Sequence, residues 1–187
     1  IGAGSVVFTR KLLQDVVNTP SLADARLSLM DVDQSRLDLI GSFAKRLVSD
    51  AGAGAAVETT TDRERALDGA DYVITTIRVG DDLSVDQGIP LKYGVDQSVG
   101  DTIGPGGVFK ALRTVPVLLD ICEDMEDVCP DAWLLQYTNP MAMALPSIQK
   151  ASSPTSLCSA KTRSRTSETA RASRWSCSTA DSTTPPQ

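Results

Sequence analysis

Apolar residues recur along this chain at two different spacings. Short runs at Arg26–Met30, at residues 71–77 and at Trp133–Gln136 predict buried strands, because each is brief, rich in large apolar or β-branched side chains, and bounded by turn-forming or charged residues. Residues 37–48 and 108–128 carry apolar side chains three and four positions apart, which is the spacing of one helix face. Strands alternating with helices of this length predict parallel strands joined by right-handed crossovers. The predicted fold class is therefore α/β, with a doubly wound parallel sheet.

The alternating pattern ends near residue 150. Over residues 151–187, nearly half of the residues are Ser or Thr, and no helix or strand spacing continues. We therefore expect one domain over residues 1–150 and a disordered or frameshifted Ser/Thr/Arg-rich tail over residues 151–187. At the other end, Ile1 resembles the last residue of a strand that runs into a glycine turn, so we expect a truncated N-terminus.

The overall composition argues against several classes of protein. A net charge of −6 offers no basic surface to a phosphate backbone, and 4% aromatic residues are too few for base stacking, so we expect no nucleic-acid partner. No apolar stretch is long enough to cross a membrane, which predicts a soluble protein without a membrane partner. The four cysteines show no CxxC spacing and no signal-peptide pattern precedes them, so we expect reduced thiols and a cytoplasmic location. The chain has no histidine, which removes imidazole bases and imidazole metal ligands.

A glycine turn at the start of the chain leads into a predicted helix. Gly2 permits a tight turn, Gly4 lets the backbone approach a pyrophosphate, and Ser5 begins the helix whose amide groups face that charge. Asp31 ends the next predicted strand, where its carboxylate can accept hydrogen bonds from ribose hydroxyls. The pattern predicts a Rossmann-like dinucleotide site, and a plain turn between strand and helix is the alternative. Asp33 is predicted to cap the following helix.

Two further segments carry candidate chemistry. Residues 101–107 are too rich in glycine for the interior of an element, so we expect a loop that either approaches a ligand or simply leads into the helix at Val108. Asn139 follows the strand Trp133–Gln136 and should lie at the carboxyl end of the sheet, where α/β proteins bind ligands. The alternative is that Asn139 only starts an Asn-Pro turn. The side-chain amide of Asn139, however, suits sugar or ribose hydroxyls.

Five segments together resemble the family 4 glycoside hydrolases. They are GAGSVVFT at residues 2–9, LMDVD at residues 29–33, IPLKYG at residues 89–94, GDTIGPGG at residues 100–107 and YTNPMA at residues 137–142. The resemblance extends from residue 1 to about residue 148. It implies NAD as a catalytic cofactor and a divalent metal, usually manganese, instead of a pair of carboxylates. It also implies oxidation of the sugar at C3, loss of the C2 proton, elimination of the aglycone, addition of water and return of the hydride.

The resemblance assigns roles to individual residues. NAD would be bound by Gly2, Gly4, Ser5 and Asp31, with Ile77 and Arg78 near the nicotinamide, while Asn139 would bind sugar and Asp101 would support the site electrostatically. An Arg78 at the protein surface is equally consistent with the sequence. The GDT and NPMA segments are similar to the α-galactosidase and α-glucosidase branch. That branch acts on unphosphorylated glycosides, which agrees with the lack of arginine at residues 83–88.

The chain departs from the family after Lys150. Family members carry a cysteine and a histidine that bind the metal, whereas this sequence offers only Cys158 and has no histidine. We therefore expect a fragmentary or frameshifted product that binds no metal and has no glycosidase activity by itself. A dinucleotide-binding remnant and a relative of the lactate and malate dehydrogenases are the alternatives, although the dehydrogenases normally need a catalytic histidine. The resemblance also allows a homo-oligomer of the intact enzyme.

Overall fold

The computed structural model describes residues 1–80, 83–98, 100–151 and 156–158 of the chain. The helices are α1 (Val6–Val17), α2 (Gln34–Asp50), α3 (Arg63–Leu67), α4 (Leu83–Lys92), α5 (Gly104–Val128) and α6 (Met141–Ala151), with a 3₁₀ turn at Pro20–Leu22. The strands are β1 (Arg26–Met30), β2 (Ala56–Thr60), β3 (Tyr72–Thr75), β4 (Trp133–Gln136) and β5 (Ser156–Cys158).

Every strand pairing in the described part of the chain is parallel. β1 pairs with β2, while β4 pairs with β3 on one side and β5 on the other. Residues 1–3 join the two groups: the amides of Gly2 and Ala3 donate to the Met30 carbonyl, and Ile1 exchanges hydrogen bonds with Ile74 and Thr76. The resulting order is β2, β1, residues 1–3, β3, β4, β5. Numbered with residues 1–3 as the first strand, this is the 3-2-1-4-5-6 order of a Rossmann fold, which confirms the predicted fold class.

Two main apolar clusters hold helices against this sheet. One lies between β3, β4, α5 and α6, and its fully buried side chains include Leu118, Ile121, Leu134 and Ile148. The other lies between β1, α1 and α2. Helices α1, α2, α5 and α6 therefore turn their apolar faces towards strands that are themselves apolar, which agrees with the helix and strand spacings in the sequence. No helix in the described ranges has both the length and the apolarity of a membrane span.

The start of α5 corrects one prediction. Residues 101–107 were expected to form a loop throughout, but the helix begins at Gly104. Pro105 suits the first helical turn, where its missing N–H group would have no partner. A Cβ atom on Gly106 would overlap the carbonyl oxygens of Gly100 and Asp86. Close packing against neighbouring backbone therefore explains this glycine, and that packing outweighs its low helix propensity.

Other elements also differ from the pattern in the sequence. The strand predicted over residues 71–77 is shorter, at Tyr72–Thr75. The strand β5 occupies Ser156–Cys158, so the expectation that no strand follows residue 150 is wrong at these three residues. Beyond Ala151, the rest of the predicted tail lies outside the described residues. Helix α4 and strand β2 lack clear one-sided periodicity, which is why the sequence pattern did not predict them.

Candidate functional site

Parallel strands bring the predicted site residues to one edge of the sheet. Asp31 follows β1, Ile77 and Arg78 follow β3, and Asn139 follows β4. The glycine turn follows residues 1–3, which pair between β1 and β3. Because these strands are parallel neighbours, all these residues lie at the carboxyl edge, where open α/β sheets bind ligands.

The glycine turn leaves the N-terminus of α1 open to an anion. Gly2 has φ +83°, and a Cβ atom there would lie 2.8 Å from the Thr76 carbonyl carbon, so a larger residue would be strained. Ser5 is the N-cap of α1, but its side chain makes no capping hydrogen bond, and the first turn contains no acidic residue. The first amides of a helix lack intrahelical acceptors and sit at the positive end of its dipole, so this turn suits a pyrophosphate.

The carboxylate of Asp31 lies directly beside that turn. Its Oδ2 accepts a hydrogen bond from the Gly4 amide at 2.7 Å, and its Oδ1 accepts one from the Asp33 amide at 3.1 Å. A Cβ atom on Gly4 would lie only 2.7 Å from Oδ2, so glycine permits this contact. Each carboxylate oxygen keeps a further lone pair for a ribose hydroxyl. Asp33 caps α2 by accepting from the amides of Ser35 and Arg36, which confirms its predicted role.

The segment after β3 is tied to the segment after β4. The amide of Ile77 donates to Oγ1 of Thr138 at 3.0 Å, next to Asn139. Arg78 is exposed to solvent at this edge. The structure therefore brings Ile77 and Asn139 into one connected region, while Arg78 stays at its periphery.

A buried polar network beneath this region was missed by the sequence analysis. Gln136 is fully buried; its Oε1 accepts from the Thr75 hydroxyl and from the Thr138 amide at 3.0 Å, and its Nε2 donates to the Thr138 carbonyl at 2.8 Å. The Thr138 hydroxyl in turn donates to the Thr75 carbonyl at 3.4 Å. The network joins the ends of β3 and β4. The sequence does contain a signal for this network, namely a glutamine in a strand that is otherwise apolar. A buried side-chain amide requires hydrogen-bond partners, so such a glutamine indicates polar groups nearby.

Asp101 lies at the centre of a second polar cluster. Its Oδ2 accepts from Nζ of Lys110 at 3.0 Å, and its Oδ1 accepts from the Thr102 hydroxyl at 3.0 Å. The side-chain amide of Asn139 lies near enough to this carboxylate to help lower its pKa. The structure thus brings together Asp101 and Asn139, which lie 38 positions apart in the sequence. Lys110 is 4% exposed, and the sequence analysis did not single it out.

The donors around Asp101 favour its ionised form. Burial acts to raise the pKa of the carboxyl group, but the hydrogen bonds from Lys110, Thr102 and Asn139, together with the charge of Lys110, hold the pKa below its ordinary value of 3.8. The site therefore contains a fixed negative charge beside an amide. That combination can bind hydroxyl groups and polarise a neighbouring acid or base.

A bidentate ion pair connects α4 to α5 close to this cluster. The guanidinium of Arg113 donates to both carboxylate oxygens of Asp86, at 2.9 and 2.8 Å, and Asp86 is buried. A Cβ atom on Gly80 would lie 3.2 Å from Nε of Arg113, so the segment after β3 passes close to the pair. The pair fixes α4 against α5, where Gly106 contacts the backbone of Asp86.

The described residues do not form a metal site. Within the described ranges, no three His, Cys, Asp or Glu side chains lie close enough together to hold an ion. The backbone of Cys158 lies opposite Gln136 in the β4–β5 pairing, and its side chain is outside the described part of the structure. The donor set of a manganese site is therefore not assembled by these residues.

Known proteins identify the family of this chain. Residues 1–160 match the family 4 glycosyl hydrolases. The α-galactosidase of Rhizobium meliloti is 47% identical over 146 residues, covering 76% of this chain and 30% of that protein. The α-glucosidase of Erwinia rhapontici is 40% identical over 145 residues, covering 76% of this chain and 32% of that protein. The chain thus spans about a third of the length of these relatives.

Solved structures agree with the sequence relatives. A 6-phospho-α-glucosidase from gut microorganisms, solved in complex with NAD and Mn²⁺, superposes with a TM-score of 0.72 at 28% identity, covering 80% of this chain and 34% of that one. The lactate dehydrogenase of Eimeria maxima superposes with a TM-score of 0.59 at 16% identity, covering 86% of this chain and 42% of that one, which shows a shared fold alone. The chain belongs to the family 4 glycosyl hydrolases.

Proposed function

We propose that this chain is the NAD-binding part of a glycosidase of the α-galactosidase or α-glucosidase type. The observation that carries the proposal is the meeting of two features at one edge of the sheet. The glycine turn beside Asp31 suits a dinucleotide, and the Asp101–Asn139 pair suits sugar hydroxyls. Both features lie at the carboxyl ends of parallel strands, so a cofactor and a sugar can bind next to one another.

The proposed NAD site lies after residues 1–3 and after β1. Gly2 permits the tight turn, Gly4 lets the backbone approach the pyrophosphate, and the amides that follow the N-cap Ser5 at the start of α1 bind it. Asp31 accepts hydrogen bonds from the ribose hydroxyls while the Gly4 amide holds it in place. When bound, NAD would accept a hydride from the sugar and later return it. Ile77 and Arg78 would border its nicotinamide end.

The sugar half of the proposal uses Asp101 and Asn139. The Asn139 amide lies beside the Asp101 carboxylate, and its carbonyl oxygen and amide hydrogens can bind vicinal hydroxyls. Asp101 supplies a fixed negative charge that strengthens a neighbouring base. No arginine lies in residues 83–88 to hold a sugar phosphate, and Arg113 is engaged by Asp86. An unphosphorylated glycoside is therefore the proposed substrate.

The metal-dependent part of the family's chemistry is not assigned to these residues. No cluster within the described part of the chain fits a divalent ion, and the sequence contains no histidine. We therefore expect the 187-residue chain to be inactive alone as a glycosidase. A dinucleotide-binding remnant is the second candidate, favoured by the same absence of a metal cluster among the described residues. A cytoplasmic location and a homo-oligomeric intact enzyme remain parts of the proposal.

A chimeric enzyme tests the proposal. Residues 1–151 of this chain would replace the matching part of the Rhizobium meliloti α-galactosidase, which keeps its own residues before and after the match. Supplied with NAD and Mn²⁺, the chimera should release nitrophenol from p-nitrophenyl α-galactoside, because the relative supplies what this chain lacks. The isolated chain should release none.

Two substitutions in the chimera give the control. Asn139→Ala should reduce kcat/KM at least about tenfold, because a hydrogen bond to the reacting sugar is lost. Asn18→Ala, at the exposed C-cap of α1, should leave turnover unchanged. A folded chimera that binds NAD but has no turnover would favour the remnant over the enzyme.

A further inference from the structure

The two faces of strands β3 and β4 differ in exposure. Val73 is 4% exposed and Leu134 is fully buried, and both belong to the apolar cluster that contains residues of α5 and α6. The neighbouring residues Tyr72 and Trp133 are 64% and 39% exposed. Successive side chains of a strand point to opposite faces of the sheet, so Tyr72 and Trp133 lie on the face opposite α5 and α6.

The strand pairing makes this exposed surface continuous. Tyr72 lies opposite Trp133 in the parallel register, and Ile74 lies opposite Leu135. Paired residues of neighbouring strands point to the same face, and Ile74 and Leu135 are both partly exposed. These four residues, Tyr72, Ile74, Trp133 and Leu135, are called the open sheet face below.

Helix α1 borders the open sheet face without covering it. Leu12 and Val16 of α1 line a groove of about 160 Å³ together with Tyr72 and Ile74 of β3. A parallel sheet is normally covered by helices on both faces. The exposure of Tyr72 and Trp133 shows that no helix within the described ranges covers this part of the sheet fully. Large apolar side chains that are exposed together mark an interaction surface.

The relatives contain the additional chain that this surface needs. The match with the Rhizobium meliloti α-galactosidase covers 30% of that protein, so more than two thirds of it lies outside the match. The family match ends at residue 160, directly after β5, and β5 pairs with β4 in the sheet that carries the open sheet face. Residues 159–187 of this chain contain no Leu, Ile, Val, Met or Phe, so they offer no apolar stripe for a covering helix.

We propose that the open sheet face is a docking surface for the part of a family 4 glycosyl hydrolase that follows the matched third. That part covers the open sheet face with the apolar side of a helix, which completes the two-sided burial of the parallel sheet. The inference concerns packing alone and does not depend on whether the whole protein cleaves a glycoside. Residues 159–187 and a second copy of this chain are the other occupants that the experiment distinguishes.

Cysteine labelling measures what covers the open sheet face. Tyr72→Cys and Trp133→Cys are each placed in the 187-residue chain and in the chimera with the Rhizobium meliloti α-galactosidase, and maleimide labelling is located by mass spectrometry. Both cysteines should react rapidly in the isolated chain. In the chimera they should react at least about tenfold more slowly, because the covering segment must open before the thiol is reached. Lys45→Cys on α2, where Lys45 is exposed, is the matched control and should react equally in both proteins.

The labelling rates separate the three occupants. Equal rates at positions 72 and 133 in the chimera and in the isolated chain would overturn the inference. Slow labelling of the isolated chain at every protein concentration would assign the surface to residues 159–187. Labelling that slows as the concentration of the isolated chain rises would assign it to a second copy, and either result would overturn the inference.

A second measurement needs no substitution and covers the case in which a cysteine variant does not fold. Hydroxyl-radical footprinting of the unsubstituted proteins measures oxidation of the Tyr72 and Trp133 side chains. We expect less oxidation of both in the chimera than in the isolated chain, and equal oxidation would overturn the inference. A chimera that protects both side chains but releases no nitrophenol would support the docking surface and count against the proposed function.

Discussion

The Asp31 carboxylate shows how closely single residues constrain one another at this edge. Its two oxygens accept from the amides of Gly4 and Asp33, so the turn, the acidic residue and the start of α2 form one unit. A methyl group on Gly4 would displace Oδ2 of Asp31. The geometry that suits a ribose therefore depends on a residue that has no side chain.

Asp101 gives a prediction about pH at the same scale. Its folded-state pKa lies below the ordinary value, so the stability that it contributes is present above about pH 4 and is lost as the pH falls through the folded pKa. We expect Asp101→Asn to lower the free energy of unfolding at pH 7. The difference from the wild-type chain should shrink towards pH 3, as measured by urea unfolding followed by circular dichroism. A difference that stays constant with pH would contradict the assigned ion pair.

The sequence predicts which residues follow the strands and lie at the ligand edge. It does not predict which side chains form hydrogen bonds with them or beneath them. Asp31 directly follows β1 and Asn139 comes three residues after the end of β4, and strand ends in a parallel sheet meet at one edge. Lys110 and Gln136 act through side chains of other segments: Asp101, in the loop before α5, and Thr75, which lies 61 positions from Gln136. Periodicity places a residue on a face, but it does not identify which polar groups meet there.

At the scale of elements, polar contacts between segments set the shape of the edge. The Gln136 network joins β3 to β4, and the Asp86–Arg113 pair joins α4 to α5. The backbone contacts of Gly106 explain why a helix begins within a glycine-rich segment. The glycine content of residues 101–107 predicts a loop. The packing of Gly106 against the backbone of Gly100 and Asp86 favours the helix instead.

Removing the Gln136 network should destabilise the domain. Gln136→Leu leaves the Thr138 amide and carbonyl and the Thr75 hydroxyl buried without their partner, so we expect a loss of about 2–4 kcal/mol in the free energy of unfolding. Gln149→Leu, on the exposed side of α6, is the matched control and should change it by less than about 0.5 kcal/mol. Urea unfolding of both variants measures the effect. Equal changes in the free energy of unfolding for Gln136→Leu and Gln149→Leu would contradict a stabilising role of the network.

At the scale of the whole molecule, the strand order explains why one edge collects all these groups. Residues 1–3 lie between β1 and β3, and the glycine turn therefore emerges at the centre of the sheet. Alternating apolar spacings were sufficient to predict this parallel architecture. The strand order itself depends on pairings between distant segments, which a single sequence does not reveal. Because the chain spans about a third of its relatives, its activity in a whole enzyme remains a proposal.

Cofactor choice tests the central claim most directly. The 187-residue chain would be titrated by calorimetry with NAD and with NADP at the same ionic strength. We expect NAD to bind with the lower Kd, because the Asp31 carboxylate repels a 2′-phosphate and accepts from a free ribose hydroxyl. Asp31→Asn should weaken NAD binding about tenfold and reduce the preference for NAD. Equal affinities for the two cofactors, or no binding of either, would contradict the account.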